Sequence, residues 1–191
     1  MNHLYQTQVV NRSRRYKVFD KRIQKMCWTI CSHLGVADYD LAVQFVGQGA
    51  IQRLNKDFRG KDKPTDVLSF PQVQWTKPKS VRTQIGVPSA RSELSKKSPR
   101  DSLPREPLGD LVISLDMAAE NAENIGQPLD REVCFLLVHG ILHLCGHDHM
   151  VKQEEKRMLS CQRRLMKILG EDSPNKALWR GCVKLANRTT A

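Results

Sequence analysis

With 191 residues, 40% of them hydrophobic and 27% charged, the chain is long enough to bury one core unaided, which argues against a chain held together by staples. No run approaches the ~18 apolar residues of a membrane span, and the six cysteines form no C-x-x-C pair. Free thiols in a reducing compartment are therefore expected rather than a secreted disulfide scaffold, and the net charge of +11 favours a polyanionic partner, nucleic acid ahead of an anionic membrane.

Residues 1–19 carry Arg12, Arg14, Arg15 and Lys17 with no acid and no apolar signal core. A cytoplasmic location is expected, an organellar matrix being the alternative that this basic stretch leaves open. Tyr16 to Leu34 has apolar residues at helical spacing, and Gly35 is a natural stop. Asp40 to Val46 alternates as a strand, Ala50 to Phe58 returns to the helical period, and Val67 to Phe70 is a short strand stopped by Pro71. Residues 72–107 hold five prolines and little periodicity, so an irregular insertion is expected there.

Asp110 to Leu115 reads as a strand, and Asp116 as the N-cap of a helix running to Ile125. Asp130 is the expected N-cap of the next helix, Arg131 to Leu144. A last amphipathic helix covers about Val151 to Leu169, with Met158, Leu159, Leu165 and Leu169 as core positions and Arg163, Arg164 and Lys167 as a solvated face. Residues 171–191 read as a loose tail that Trp179 could anchor. Interleaved helices and short strands predict a single α/β (α+β) domain over residues 1–170: a short mixed sheet of about four strands with about five helices.

Charge is unevenly spread. Residues 108–149 carry −6, whereas 1–75, 76–107 and 150–191 carry +6, +5 and +6. The acidic stretch contains His139, His143, His147 and His149, four of the six histidines. His139 and His143 are i and i+4, so a helix stacks both imidazoles on one face. Gly146 can take a positive φ and turn the chain back, bringing His149 to the same point. Three neutral imidazoles with one open position is the donor set of a catalytic zinc site, although nickel, copper and iron accept the same ligands. Asp148 is either a carboxylate that orients a ligand histidine or a solvated acid. The spacing H-x-x-x-H-x-x-G-x-x-H is also that of metzincin proteases, but Gly140 stands where those enzymes place a general-base glutamate. Peptide hydrolysis is therefore the weaker reading. RNA brings its own 2′-hydroxyl as nucleophile and asks less of the protein.

Three blocks carry a family resemblance: His139, Gly140, Leu142, His143, Leu144, Gly146, Asp148 and His149; Leu54, Asn55 and the run Phe58 to Pro71; and Gly109 to Ser114. Together they resemble the YbeY family of metal-dependent endoribonucleases and rRNA maturation factors. The resemblance implies a single α/β domain whose three histidines bind one zinc ion. It further implies cleavage of single-stranded RNA, maturation of the small-subunit rRNA 3′ end and ribosome quality control. Implied partners are the small ribosomal subunit, one of its proteins and an Era-type GTPase, with no membrane role. The family's functional arginine maps onto Arg59, which with His143 makes up the expected catalytic pair. The stretch 72–107 departs from the family's shorter connection.

By its own chemistry Arg59 either clamps a phosphate with its planar guanidinium or is a solvated helix-end cation. Lys61 and Lys63 are backbone-phosphate contacts or an ordinary solvated loop. Asp66 either orients a site group or caps the turn after Pro64, and Asp110 presents the same choice. Two other functions stay in view: a metalloprotease or amidohydrolase, and a ribosome assembly factor whose zinc is only structural.

Overall fold

The structure is a computed structural model that describes residues 7–82, 105–172 and 177–186. Its elements in chain order are β1 (Thr7–Asn11), β2 (Tyr16–Val18), α1 (Asp20–Leu34), β3 (Asp40–Val46), α2 (Gln48–Arg59), β4 (Val67–Pro71), β5 (Pro107–Ser114), α3 (Leu115–Asn124), α4 (Leu129–Leu144), α5 (Lys152–Ile168) and β6 (Val183–Leu185). Four strands form one mixed sheet in the order β1-β3-β5-β4, with β4 alone antiparallel to its neighbour. β2 and β6 form a separate antiparallel ribbon. Among the described residues no helix is long and apolar enough to cross a membrane.

Strand alternation sorts the sheet into two faces. Leu41, Val43 and Phe45 of β3 join Leu111 and Ile113 of β5 in the main core, under α1 and α4. Val46, Leu68 and Val112 point the other way and meet Ile51 of α2. α4 is the central helix: Val133, Leu137, Val138, Ile141 and Leu142 are all fully buried. That explains why its sequence is apolar on nearly every side, and why a histidine on it needs a polar partner.

Long-range pairing corrects several local expectations. Tyr16–Val18 is not the first turn of α1. It is strand β2, paired with Val183–Leu185 more than 160 residues away, a partner that periodicity cannot report. β1 and β6 were likewise illegible locally. α3 is capped by Ser114, whose hydroxyl accepts from Met117 N, and not by Asp116, which instead accepts from the Gln48 backbone at 3.0 Å. Leu115 accordingly belongs to the helix rather than the strand. α4 starts at Leu129 after Pro128; Asp130, the expected cap, accepts from Gly181 N at 2.7 Å and Val183 N at 2.9 Å and so fastens the C-terminal segment. Trp179 is buried on the main core, and the expected tail contains β6. Leu159 is not a core residue: it is 46% exposed. Of the expected insertion, residues 83–104 lie outside the described residues, residues 72–82 form neither helix nor strand, and Pro107 opens β5.

The described cysteines are unpaired, and five of the six are buried. Burial pushes the Cys31 thiol up to about 12 and raises Cys27, Cys134, Cys145 and Cys182 too, so these are packing groups with no thiolate chemistry.

Candidate metal centre

α4 places His139 and His143 one turn apart, with His139 reaching Gln162 of α5. Gly146, at φ +84°, takes a left-handed conformation that ends the helical path, and His149 returns to the same point. One ring nitrogen from each of His139, His143 and His149 lies within 4.8 Å of the other two. The closest pair is His139 Nε2 and His143 Nε2 at 3.1 Å. These separations bracket the roughly 3.3 Å edge of a tetrahedron built on metal–nitrogen bonds of ~2.0–2.1 Å.

Hydrogen bonds fix which nitrogens are free. His143 Nδ1 sits 2.9 Å from the His147 backbone carbonyl, which can only accept. Nδ1 therefore holds the proton, and the neutral ring leaves Nε2 as a bare lone pair. His139 Nδ1 lies 3.2 Å from Gln162 Oε1, an acceptor that sets the same tautomer. Two lone pairs then face each other at 3.1 Å, an arrangement that a shared cation stabilises and that nothing else in the donor set explains. Burial lowers the pKa of His139, and burial followed by the neighbouring His139 and His149 pushes His143 down to about 4, so both rings are neutral at pH 7.

His147 is not a fourth ligand. Its ring nitrogen Nε2 lies 2.6 Å from the Lys79 carbonyl, and it does not join the group of converging ring nitrogens. The described part of the expected insertion braces this turn: Trp75 Nε1 donates to Leu144 O at 2.7 Å, Lys79 N donates to Cys145 O at 3.1 Å, and Lys79 Nζ lies 4.1 Å from the centre of the Trp75 ring. Trp75→Ala should therefore loosen the turn between His143 and His149 and weaken metal binding by about 10–100-fold, measured by competition with a chromogenic chelator. Unchanged affinity would show that the turn holds without its brace.

Gly140 has a packing reason. A Cβ there would lie 2.7 Å from Leu111 Cδ2 and 3.2 Å from Leu111 Cδ1, in the buried interface of α4 with β5. A glutamate at this position would enter the core rather than the cleft, which removes the protease-type base on geometric grounds. Gly140→Ala should cost about 1–3 kcal/mol in urea denaturation, because Leu111 is fully buried and has nowhere to retreat. A neutral outcome would mean that the helix can back off the sheet freely.

The remaining candidates fall into two groups. Asp66 lines the cleft together with His139 and His149; its Oδ1 accepts from Val67 N at 2.8 Å, and its Oδ2 from Asn121 Nδ2 at 3.2 Å. It thus caps the start of β4 and also presents a carboxylate edge to the site. Asp148 is exposed and accepts from the His149 backbone at 2.7 Å, so it holds the chain at His149 rather than a ring nitrogen. Asp110 accepts from Gln72 Nε2 at 2.8 Å, apart from the cleft. Arg59, Lys61 and Lys63 are exposed at and after the end of α2, with no ion-pair partner among the described residues, and none of them lines the cleft. The neighbouring Asp62 is taken up by Lys56 at 2.7 Å. Lys63 precedes Asp66 by three residues, so its Cα is within ~11 Å of the cleft wall.

Gln162 escaped the sequence reading. The signal was present: a polar residue on the buried stripe of α5 between Met158 and Leu165. Asn121 and the brace residue Trp75 gave no comparable local signal.

Comparison with known proteins gives one consistent outcome. The family model described as endoribonuclease YbeY matches residues 6–170. A protein named endoribonuclease YbeY from Halalkalibacterium halodurans is 37% identical over 138 residues, covering 72% of this chain and 76% of its own. One of the same name from Enterococcus faecalis is 38% identical over 151 residues, covering 78% and 87%. The solution structure of TM1509 from Thermotoga maritima aligns with a TM-score of 0.55 at 21% identity, over 89% of this chain and 93% of that one, a likeness of fold.

Proposed function

Since this chain belongs to the endoribonuclease YbeY family, we propose that it is a zinc-dependent endoribonuclease, a hydrolase of phosphodiester bonds, that cuts single-stranded RNA while ribosomal RNA matures. The observation that carries the reading is the pair of bare imidazole nitrogens 3.1 Å apart with His149 beside them. The proposed site is His139, His143 and His149 for one zinc ion, Arg59 with His143 for catalysis, Lys61 and Lys63 for the RNA backbone, and Asp66 and Asp148 as supporting carboxylates. The task we assign is processing of the small-subunit rRNA 3′ end and ribosome quality control in the cytoplasm. The partners are the small subunit, one of its proteins and an Era-type GTPase.

Bound zinc supplies Lewis acidity toward a phosphoryl oxygen and lowers the pKa of water to about 7. The chain does the rest. Gln162 and the His147 carbonyl hold the two ring protons away from the cation, so the ligand nitrogens stay unprotonated. Asp66 places negative charge at the cleft wall, where it favours a cation and repels a misplaced phosphate. Arg59 meets the non-bridging oxygens of the scissile phosphate with two parallel N–H donors, and Lys61 and Lys63 neutralise flanking phosphates. Binding should weaken steeply with salt, as expected when phosphates are the target.

The direct test is metal analysis of the purified chain together with cleavage of matched single- and double-stranded RNA. Zinc near one equivalent and cutting of the single strand alone support the reading. A folded, metal-loaded chain that cuts neither strand refutes the enzyme and leaves a structural zinc. The pH dependence follows from the rings. His139 and His143 have pKa values lowered by folding, so the metal-free protein loses stability as pH falls below the unfolded imidazole range near 6.5, and the loss continues toward about 4. Protons compete for the same nitrogens, so zinc affinity should weaken as pH falls through that window, measured by competition with a zinc chelator at each pH. An affinity unchanged between pH 7 and pH 4 would contradict it.

A further inference from the structure

The cleft beside the histidines is more apolar than a phosphate track needs. It encloses about 340 Å³ between α4, α5 and the start of β4. Val67, Phe135, Met158 and Leu159 wall it, Asp66 and Glu155 bring carboxylates to its edge, and His139 and His149 open onto the same space. The Phe135 ring is nearly parallel to the His139 ring, at 15° with centroids 6.2 Å apart. Leu159, a large apolar side chain left 46% exposed on α5, forms the outer lip. Solvated backbone phosphates gain nothing from such walls, whereas the flat face of an unstacked base buries well against them.

A second observation points to a ligand. Gln162 is only 6% exposed and lines the cleft. Its Oε1 is engaged by His139 Nδ1. Its Nε2 meets no acceptor among the described residues, yet it is not among the fully enclosed unsatisfied atoms. The amide hydrogens therefore open to the cleft. Because His139 donates from Nδ1 when Nε2 holds a cation, the amide cannot flip without losing that bond. The metal site thus fixes a donor-only group at the back of a largely apolar cleft.

On the footing of the nuclease reading, we propose that this cleft is a nucleobase subsite: it takes one unstacked base of the RNA, held between the Phe135 and Leu159 walls, with Gln162 Nε2 donating to an acceptor on the base edge. Only a strand whose bases can leave the stack fills it, which gives single-strand selectivity a physical origin. Paired bases have that edge occupied and their faces covered. A base seated here sets the adjoining phosphate beside the three imidazoles.

The test uses the zinc-loaded full chain. A single-stranded RNA of random sequence is cut and its ends are sequenced, and a defined RNA is compared with copies carrying one abasic ribose at each position in turn. The expected result is a base bias at one position, and about a tenfold loss when that position is abasic. Leu159→Ala should raise KM with kcat kept and should erase the abasic penalty. Gln162→Glu, which replaces donors by acceptors, should shift the bias at matched zinc content. Equal cutting of all sequences, with no abasic penalty at any position, overturns the subsite while leaving the nuclease intact. If the loaded chain cuts no RNA, the nuclease reading has failed. The subsite is then judged by NMR titration with uridine, cytidine, adenosine and guanosine. Shifts of the Leu159 and Met158 methyl groups that vanish in Leu159→Arg support it, and their absence in the unaltered chain refutes it.

Discussion

His143→Ala is expected to give a folded protein that has lost both zinc and RNA cleavage. The ring is half-buried, and its Nδ1 proton is committed to the His147 carbonyl, so its Nε2 is the nitrogen with the least freedom to be anything but a ligand. Removing it leaves two imidazoles, one of them on an exposed turn. The loss in affinity should exceed the 10–100-fold typical of a lost supporting hydrogen bond. The fold should survive, because the substitution removes a half-buried polar ring while the apolar residues of α4 stay in place. Circular dichroism, metal content and cleavage rate measured on one preparation decide the matter. Full zinc occupancy in the variant would move the metal elsewhere, and full activity without zinc would end the metal-assisted mechanism.

Arg59→Ala is expected to separate the two properties that His143→Ala removes together. Arg59 is exposed at the last turn of α2 and does not line the cleft, so zinc content and thermal stability should stay at the level of the unaltered chain. Cleavage should fall by about 10²–10³, the usual cost of removing one preorganised donor to developing negative charge. Arg59→Lys should restore little, because an ammonium lacks the planar fork that meets two phosphate oxygens at once. An Arg59→Ala variant as active as the unaltered chain would reduce this residue to a solvated helix-end cation, favourable to the helix dipole and nothing more.

The convergence of the three histidines at the candidate site is legible in the sequence, and the reason is local. The i, i+4 spacing of His139 and His143, the glycine stop at Gly146 and the return to His149 all lie within eleven residues. Helix geometry alone nearly places such a set. The same holds for α2, α5 and the strands β3 and β4, whose periodicity is carried by their own side chains. What failed were the elements whose partners are distant. β2 looks like a helical turn until Val183–Leu185 arrives beside it, and Asp130 looks like a cap until the backbone at Gly181 and Val183 claims its carboxylate.

The sequence by itself determined the kind of chemistry: three imidazoles, an acidic stretch within a basic chain, and a helix to carry the ligands. Tertiary structure decided the protonation and the surroundings of those groups. Which nitrogen is bare depends on the His147 carbonyl and on Gln162 from another helix, and the brace on the turn comes from Trp75 and Lys79, more than sixty residues upstream of their partners. The reason is one of range: periodicity encodes which face a residue occupies on its own element, whereas tautomer, pKa and cleft shape are set by atoms a few ångströms away in space, wherever the chain supplies them.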